Sequence, residues 1–357
     1  MEENKQHKTA LPETEPIPSA QAPEALLDIR GLRVEYHTDE DVVYAVNGLD
    51  LTIGKGESLG LVGETGAGKT TTALSVLRLI ADPPGKIMGG EIWFEGEDML
   101  QAKPARLREI RGSKISVIFQ DPMTSLNPVY SVGDQIAEVI HQHEKCSKEE
   151  GRRKAGDMLE MVGIPRARYD EYPHQFSGGM KQRVVIAMSI ACSPELILAD
   201  EPTTALDVTI QAQVLELMNE LKEKLRTSLL LITHDLGVVA QVCDRVAIMY
   251  AGEIGESGTI AEVFDHPHHP YTIGLFGSIP SLDETAEKLK PIQGQMPDPT
   301  ELPEGCAFAP RCPYATGACR TRKPEMTGVG GTQMVRCLAH QGVFESPELM
   351  EEVRHGR

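Results

Sequence analysis

The sequence predicts an α/β fold built around a parallel sheet of short, buried strands. Several short apolar runs end in polar residues, as buried parallel strands do, and they include Ile115–Phe119, Leu196–Ala199 and Leu229–Thr233. Another apolar strand, Ser58–Val62, leads into a glycine-rich loop that is followed by helical periodicity from Lys69. Because ligands bind outside the carboxyl ends of parallel strands, we expect the functional residues to follow these runs.

Three further patterns surround the predicted sheet. Leu26–Tyr36 and Val42–Ile53 are typical of strands and indicate an antiparallel β layer. Residues 121–173 are helical in pattern and indicate a helical subdomain inserted into the α/β core. Val208–Arg226 is predicted to be a core-facing helix, whose apolar stripe is formed by Ile210, Val214, Leu217, Leu221 and Leu225.

These patterns divide the chain into four parts. The Pro- and Glu-rich residues 1–24 are expected to form a disordered tail. The main domain is expected over residues 25–266, with the helical subdomain at about 121–190. A smaller region with clustered cysteines is expected over residues 267–345, followed by a short tail over 346–357.

Composition limits the functions that this chain can have. The net charge of −18 does not suit a nucleic-acid surface, which needs clustered positive charge, and no basic patch for lipid is visible. No apolar stretch approaches the about 20 residues that a membrane-spanning helix needs. The first residues also lack the apolar segment of a signal peptide. We therefore expect a cytoplasmic protein whose membrane contact, if it has one, is made through a partner.

The loop after Ser58–Val62 has the pattern of a phosphate-binding P-loop. Its glycines let backbone N–H groups turn towards phosphate oxygens, and the following helix adds its N-terminal dipole. In this pattern Lys69 reaches the β- and γ-phosphates, and Thr70 binds Mg²⁺. The predicted nucleotide-binding residues are Gly63, Glu64, Thr65, Gly66, Ala67, Gly68, Lys69, Thr70 and Thr71.

The ends of the other predicted strands supply polar residues that suit ATP hydrolysis. Asp200 is expected to hold Mg²⁺, and Glu201 is expected to be the base that polarises the attacking water. Gln120 and His234 each follow a buried strand, so we expect both near the γ-phosphate, with Gln120 also a ligand of Mg²⁺. The predicted catalytic residues are therefore Glu201, His234 and Gln120.

An aromatic ring upstream of the P-loop could stack on the adenine base. Tyr36 is the preferred candidate and Tyr44 is the competitor, because rings of this kind stack on bases in other proteins. Core packing is the alternative for either ring.

A third motif and its companions identify a family. Phe176 precedes a Ser-Gly-Gly-Met sequence, and with the P-loop, Asp200-Glu201 and His234 the chain resembles ATP-binding cassette (ABC) ATPases over about residues 25–265. The resemblance implies a RecA-like core and two cassettes that close head to tail around ATP. The signature would then contact ATP held by a partner's P-loop, and the matching residues are Ser177, Gly178, Gly179 and Met180, with Asp207 in the D-loop. The family usually has Gln where Met180 stands, but the two glycines act through their backbone.

A narrower resemblance is to the ATPases of oligopeptide and dipeptide importers, specifically to the D-type subunit. It is carried by residues 120–128, by the Phe-Ser-Gly-Gly-Met form of the signature and by residues 268–272. The resemblance implies a heterodimer with an F-type ATPase subunit, two membrane permease subunits and an extracytoplasmic substrate-binding protein. It also implies a peripheral place at the cytoplasmic face of the cell membrane. Importers of nickel or other small solutes share much of the cassette and are the alternative.

Four of the seven cysteines lie close together near the C-terminus, at Cys306, Cys312, Cys319 and Cys337. Four thiolates can hold a Zn²⁺ ion or an iron–sulfur cluster. Zinc sites prefer closer Cys pairs, and by resemblance members of the peptide importer group carry a [4Fe–4S] cluster in this region. Zn²⁺ and unliganded thiols are the alternatives.

Other classes of ABC protein fit this sequence less well. Ribosome-acting members hold two cassettes in one chain, and DNA-repair members separate the P-loop from the signature by long coiled coils. Neither feature occurs here, and the negative charge is wrong for nucleic acid. An exporter would require fused membrane helices or a different C-terminal region.

Overall fold

The computed structural model describes residues 25–204, 206–278 and 292–355. The predicted tail over residues 1–24 lies outside the described residues. The strands are β1 (Ala25–His37), β2 (Val42–Gly54), β3 (Ser58–Val62), β4 (Gly85–Phe94), β5 (Glu97–Asp98), β6 (Ile115–Ile118), β7 (Leu196–Asp200), β8 (Ser228–Thr233), β9 (Arg245–Tyr250), β10 (Glu253–Thr259), β11 (Thr327–Gly330) and β12 (Gln333–Val335). The helices are α1 (Lys69–Val76), α2 (Pro104–Ile110), α3 (Pro122–Ser125), α4 (Val132–His143), α5 (Lys148–Met161), α6 (Gly178–Ile190), α7 (Val208–Leu225), α8 (Leu236–Val242), α9 (Ile260–Asp265), α10 (Pro270–Gly277), α11 (Gly317–Thr321) and α12 (Pro347–His355).

The larger sheet has the order β11-β12-β10-β9-β3-β8-β7-β6. Its strands from β9 to β6 are parallel, which confirms the predicted parallel sheet, and β10, β12 and β11 continue it in antiparallel pairing. Side chains of β8 alternate between two cores, as the period of a strand requires. Leu229 and Leu231 pack into one core, while Leu230 and Ile232 pack into the other.

The smaller sheet is antiparallel, with the order β2-β1-β4-β5. It confirms the β layer that the sequence predicts, because β1 and β2 pair along their length from Ala25–Gly54 to His37–Val42. Strands β4 and β5 were not anticipated. The inner faces of this sheet and of the larger sheet enclose one core together with α1.

The helical subdomain is formed by α3 to α6, between β6 and β7. Ser131 and Ser147 cap α4 and α5, since their hydroxyls accept from the backbone N–H groups of Asp134 and Glu150. The predicted apolar faces are largely buried, with Ile136, Ile140, Leu159 and Val162 each fully buried. Helix α7 likewise buries most of its predicted stripe. In the described parts of the chain, no helix is both long and apolar enough to cross a membrane.

Among the contacts that join the C-terminal region (residues 267–345) to the larger sheet is one buried carboxylate. Glu256 of β10 is fully buried, and its oxygens accept from the backbone N–H groups of His268 at 2.7 Å and His269 at 3.0 Å. Gln333 of β12 donates its Nε2 to the same carboxylate at 2.8 Å. Glu256 also pairs in the sheet with Val335. The Glu256 side chain therefore contacts three separate residues of the C-terminal region.

The end of the chain differs from the expected tail. Pro347–His355 forms helix α12, and its Leu349 is fully buried against the C-terminal region. The helix is only nine residues long, so its short apolar pattern gives little signal in the sequence.

We expect Glu256→Ala to lower the free energy of unfolding by about 3 kcal/mol or more, because several buried donors lose their acceptor. Urea denaturation followed by circular dichroism measures this. Glu216→Ala, at an exposed position on α7, is the control and should change stability by under about 0.5 kcal/mol. Equal stability of the two variants would contradict the joining role of Glu256.

Candidate functional site

The P-loop follows β3 and ends at the first residue of α1. Gly68 has φ +103°, and a Cβ there would lie 2.3 Å from the carbonyl oxygen of Ala45, so this position requires glycine. The Lys69 ammonium lies inside the loop, where it donates to the carbonyl oxygens of Gly63 at 2.7 Å and Glu64 at 3.0 Å. Burial lowers the pKa of Lys69, although nearby carboxylates oppose this. The loop thus holds a cation at its centre, as a phosphate site requires.

Thr70 and Asp200 lie in direct contact at the adjoining strand end. The Thr70 hydroxyl donates to Asp200 Oδ2 at 2.7 Å, and burial raises the pKa of the Asp200 carboxyl. Hydroxyl and carboxylate oxygens are the donors that Mg²⁺ prefers, so this pair fits the predicted metal role. Gln120, the third predicted ligand, donates to Glu201 and not to this pair.

Glu201 is the centre of a hydrogen-bonded group at the same edge. It has φ +46°, an uncommon backbone conformation for a residue other than glycine, and directly follows β7. Gln120 Nε2 donates to Glu201 Oε2 at 2.8 Å, and the Nδ1 atom of His234 lies 3.1 Å from Oε1. The structure therefore brings the three predicted catalytic residues together.

The electrostatics of Glu201 keep it ionised. Burial acts to raise the pKa of its carboxyl, but hydrogen bonds from Thr204 and His234, together with charge interactions with His234 and Lys69, hold the pKa below its usual range. Thr204 donates its hydroxyl to Glu201 Oε2 at 2.9 Å. Sequence reasoning missed Thr204, because a threonine in a loop carries no distinguishing pattern. An ionised carboxylate at this position can accept a proton from water.

The signature lies at the N-terminus of α6. The Ser177 hydroxyl caps this helix by accepting from the backbone N–H of Met180, and in the first turn Gly178 is exposed whereas Gly179 is buried. Helix N-termini of this kind bind phosphate through free N–H groups. A Cβ on Gly179 would lie 2.4 Å from Cγ2 of Ile210, so α7 leaves no room for a side chain there.

The predicted D-loop residue Asp207 has a local structural partner. Its carboxylate caps α7 by accepting from the backbone N–H of Ile210 at 3.0 Å. Ile210 is the same residue that contacts Gly179, so the D-loop and the signature are packed as one unit.

Of the two tyrosines considered for adenine, Tyr36 lies beside the P-loop helix. Its hydroxyl is 3.3 Å from Oγ1 of Thr71, whereas the backbone N–H of Tyr44 donates to Pro299 in the C-terminal region. This contact agrees with the preference for Tyr36, and stacking of its ring on adenine stays a prediction.

The four clustered cysteines converge in the folded chain. Cys306, Cys312, Cys319 and Cys337 line one small cavity of about 20 Å³, enough for about one water molecule. Burial raises the pKa of Cys312 to about 12 and that of Cys337 to about 11. In the described residues, however, no group of three or more His, Cys, Asp or Glu side chains is arranged to hold a metal ion. The thiol set thus suits an iron–sulfur cluster chemically, while the space between the thiols is too small for one as they stand.

Comparison with known protein families agrees with this geometry. A family model described as ABC transporter matches residues 46–204, which include the P-loop, the signature and Glu201. A second model, described as the oligopeptide/dipeptide transporter C-terminal region, matches residues 256–319.

Characterised relatives match nearly the whole chain. The oligopeptide transport ATP-binding protein OppD of Bacillus subtilis (strain 168) is 50% identical over 332 residues, which are 91% of this chain and 93% of the relative. AppD, another oligopeptide transport ATP-binding protein of the same organism, is 48% identical, and the match covers 88% of this chain and 97% of the length of AppD. The dipeptide transport ATP-binding protein DppD is also 48% identical, over 88% of this chain and 94% of its own.

Solved structures share the fold of the cassette. A dimeric structure of the ATP-binding cassette MJ0796, in a post-hydrolysis state bound to ADP and Pi, matches 66% of this chain and 98% of its own with a TM-score of 0.59 and 28% identity. The fold is therefore that of an ABC ATPase, with its α/β core and antiparallel β subdomain. By the extent and identity of these matches, the chain belongs to the ATP-binding proteins of the oligopeptide/dipeptide ABC transporter family.

Proposed function

We propose that this chain powers the import of di- and oligopeptides by hydrolysing ATP at a site completed by a second cassette. The observation that carries the proposal is the group around Glu201, where one ionised carboxylate is held by Gln120, Thr204 and His234 next to the Thr70–Asp200 pair. This is a base placed between a metal site and the groups expected at the γ-phosphate.

In the proposed mechanism each residue has one task. Thr70 and Asp200 would hold Mg²⁺, which would supply positive charge to neutralise the bound phosphates. Lys69 exchanges its two carbonyl contacts for phosphate oxygens. Gln120 and His234 leave the Glu201 carboxylate to contact the γ-phosphate and its surroundings. Glu201 then accepts a proton from the attacking water, whose oxygen bonds to the γ-phosphorus as the bond from that phosphorus to the bridging oxygen of the leaving ADP breaks.

The second cassette supplies the remaining contacts. The N-terminus of α6, where Ser177 and Gly178 are exposed, suits a phosphate held by another P-loop. The dimeric structure of the related MJ0796 cassette supports pairing of cassettes. We assign the partner as an F-type ATPase subunit, so that each chain's signature serves the other's nucleotide.

The membrane partners are proposed to be two permease subunits, fed by an extracytoplasmic substrate-binding protein. The segment after Gln120 is proposed to contact a permease from the cytoplasmic face of the membrane. Exposed apolar side chains at this place support a docking role, with Val129 72% and Tyr130 54% exposed. Peptides are favoured over nickel because the matching C-terminal family and the relatives are described by peptide transport.

We also propose that the four cysteines hold a [4Fe–4S] cluster that braces the C-terminal region, within the domain division at about residues 25–266 and 267–345. The supporting observation is that the four clustered cysteines line one small cavity in the folded chain. Because this cavity is small, its walls must move apart to admit a cluster. Zn²⁺ is the alternative occupant.

Glu201→Gln should reduce hydrolysis at this chain's P-loop by about 10²–10⁴-fold, because the amide cannot accept the proton. ATP binding should remain, since the amide has nearly the same shape. Phosphate release and nucleotide binding measured on the assembled transporter test this. Glu220→Gln, exposed on α7, is the control and should leave both unchanged. Full turnover of the Glu201→Gln transporter would rule out the assigned base.

Gly178→Asp should reduce turnover by about 100-fold, because a carboxylate would face the partner's γ-phosphate. The chain should still fold, since a Cβ there meets only Cδ2 of Leu206 at 3.8 Å. Binding of ATP to the isolated chain should be unchanged, which separates this defect from a P-loop defect. Gly317→Asp places the same substitution at the start of α11, where nothing lies within 4 Å, and should keep full turnover. Normal turnover of Gly178→Asp would contradict the signature role.

Anaerobically purified protein should contain about four iron and four sulfide per chain if the cluster is present. Cys319→Ser should lose most of this iron, whereas Cys192→Ser, at a cysteine outside the cavity, should retain it. A folded wild-type protein without iron would overturn the cluster, and zinc without sulfide would favour the alternative.

A further inference from the structure

The C-terminal region touches the P-loop at Glu64, the second residue of the loop. The backbone N–H of Glu64 donates to the Tyr271 hydroxyl of α10 at 3.1 Å. The Glu64 carboxylate accepts from Nη1 of Arg311, with distances of 3.1 and 3.0 Å to its two oxygens. One loop residue is therefore held through both its backbone and its side chain by residues outside the cassette.

Arg311 is firmly placed. Its side chain is only 6% exposed, against 32% for that of Glu64. Its Nε donates to the carbonyl oxygen of Gln293 at 3.1 Å, and its Nη1 lies 3.4 Å from the Tyr250 hydroxyl. A guanidinium with several contacts of this kind can hold a carboxylate in one orientation.

Three aromatic rings pack against one another next to the contact between Arg311 and Glu64. Tyr250 at the end of β9 lies 4.6 Å from Tyr271 and 5.2 Å from Phe308, measured between ring centres, and Tyr271 lies 5.5 Å from Phe308. The rings come from the main sheet, from α10 and from the turn that carries Arg311, whose backbone N–H donates to the Phe308 carbonyl. Packed aromatic groups resist displacement, so the position of Arg311 is fixed relative to β9.

Glu64 also matters for the nucleotide itself. Its carbonyl oxygen accepts from the Lys69 ammonium, so movement of Glu64 moves a partner of the lysine that binds phosphate. Its carboxylate is a negative charge in a loop that must receive a polyphosphate. An unpaired carboxylate there would repel ATP, whereas the Arg311 guanidinium holds the Glu64 carboxylate and compensates its negative charge.

We infer that Arg311 is a positioning residue for ATP binding, which acts through Glu64 and makes the nucleotide affinity of the P-loop depend on the C-terminal region. The inference rests on the proposed ATP hydrolysis and adds to it a residue outside the cassette motifs. Arg311 does not touch the reacting atoms. Its effect should therefore appear in KM for ATP and leave kcat at saturating ATP nearly unchanged.

The test compares full-length variants in the assembled transporter. Arg311→Ala should raise KM for ATP, and the Kd for ATP measured in a Glu201→Gln background, by about five- to tenfold. Arg311→Lys keeps the charge with fewer donors and should recover part of the affinity. Glu64→Gln removes the charge that Arg311 compensates, so adding Arg311→Ala to Glu64→Gln should change KM by less than about twofold.

Arg336→Ala is the matched control. Arg336 also fixes the C-terminal region, by donating to the carbonyl oxygens of Ile254 and Pro324, but these contacts do not involve the P-loop. The Arg336→Ala substitution should leave KM for ATP unchanged. Iron content is measured for each variant, because Arg311 adjoins Cys312, and should equal that of the wild type.

Three results would overturn the inference. They are an unchanged KM for Arg311→Ala, an equal rise for Arg336→Ala, and the same rise for Arg311→Ala in the Glu64→Gln background as in the wild type. The last result would mean that Arg311 acts only on the stability of the C-terminal region. Failure of the wild-type transporter to hydrolyse ATP would instead refute the proposed function, so the two failures can be told apart.

Discussion

The shared edge at the carboxyl ends of β3, β6, β7 and β8 is the constraint on which the rest of the structure depends. Parallel pairing fixes which residues leave the sheet next to one another, because the register aligns Val62 with Thr233, Asp200 with Ile232, and Ile118 with Ala199. The chain can therefore place a phosphate loop, a metal ligand, a base and two polar side chains next to one another, although these segments are far apart in the sequence. The buried strands supply the rigidity, and the loops that follow them supply the chemistry.

The contacts of Glu201 describe a resting arrangement. Gln120 and His234 are hydrogen-bonded to the Glu201 carboxylate, and Lys69 donates to a carbonyl oxygen of its own loop. Each of these contacts occupies a group that the proposed reaction needs elsewhere. Binding of nucleotide must therefore exchange one set of hydrogen bonds for another, which limits the net energy cost because few polar groups lose partners. Such an exchange also gives the cassette a means of sensing whether its site is filled.

The sequence predicted the parts of the fold and site that have local signals. The buried strands, the P-loop and the signature each combine a composition with a spacing, and their positions in the structure agree with the prediction. Strand β4 was missed because its ten residues include three glycines, which weaken a strand pattern. The contact between Glu64 and Arg311 was missed because the two residues are 247 positions apart and neither belongs to a motif that names the other. Thr204 was missed for the related reason that its role depends on a turn and not on a pattern.

The hairpin of β11 and β12 has a consequence beyond the site. Strand β10 would otherwise be the last strand of the large sheet on this side, with a row of main-chain groups open to a strand from another molecule. β12 covers that row, and the new outer strand β11 is four residues long and contains two glycines. Such a short, glycine-containing strand is a poor template for intermolecular pairing. This hairpin, which lies beyond residues 256–319 of the C-terminal family match, thus gives the larger sheet an edge that disfavours self-association.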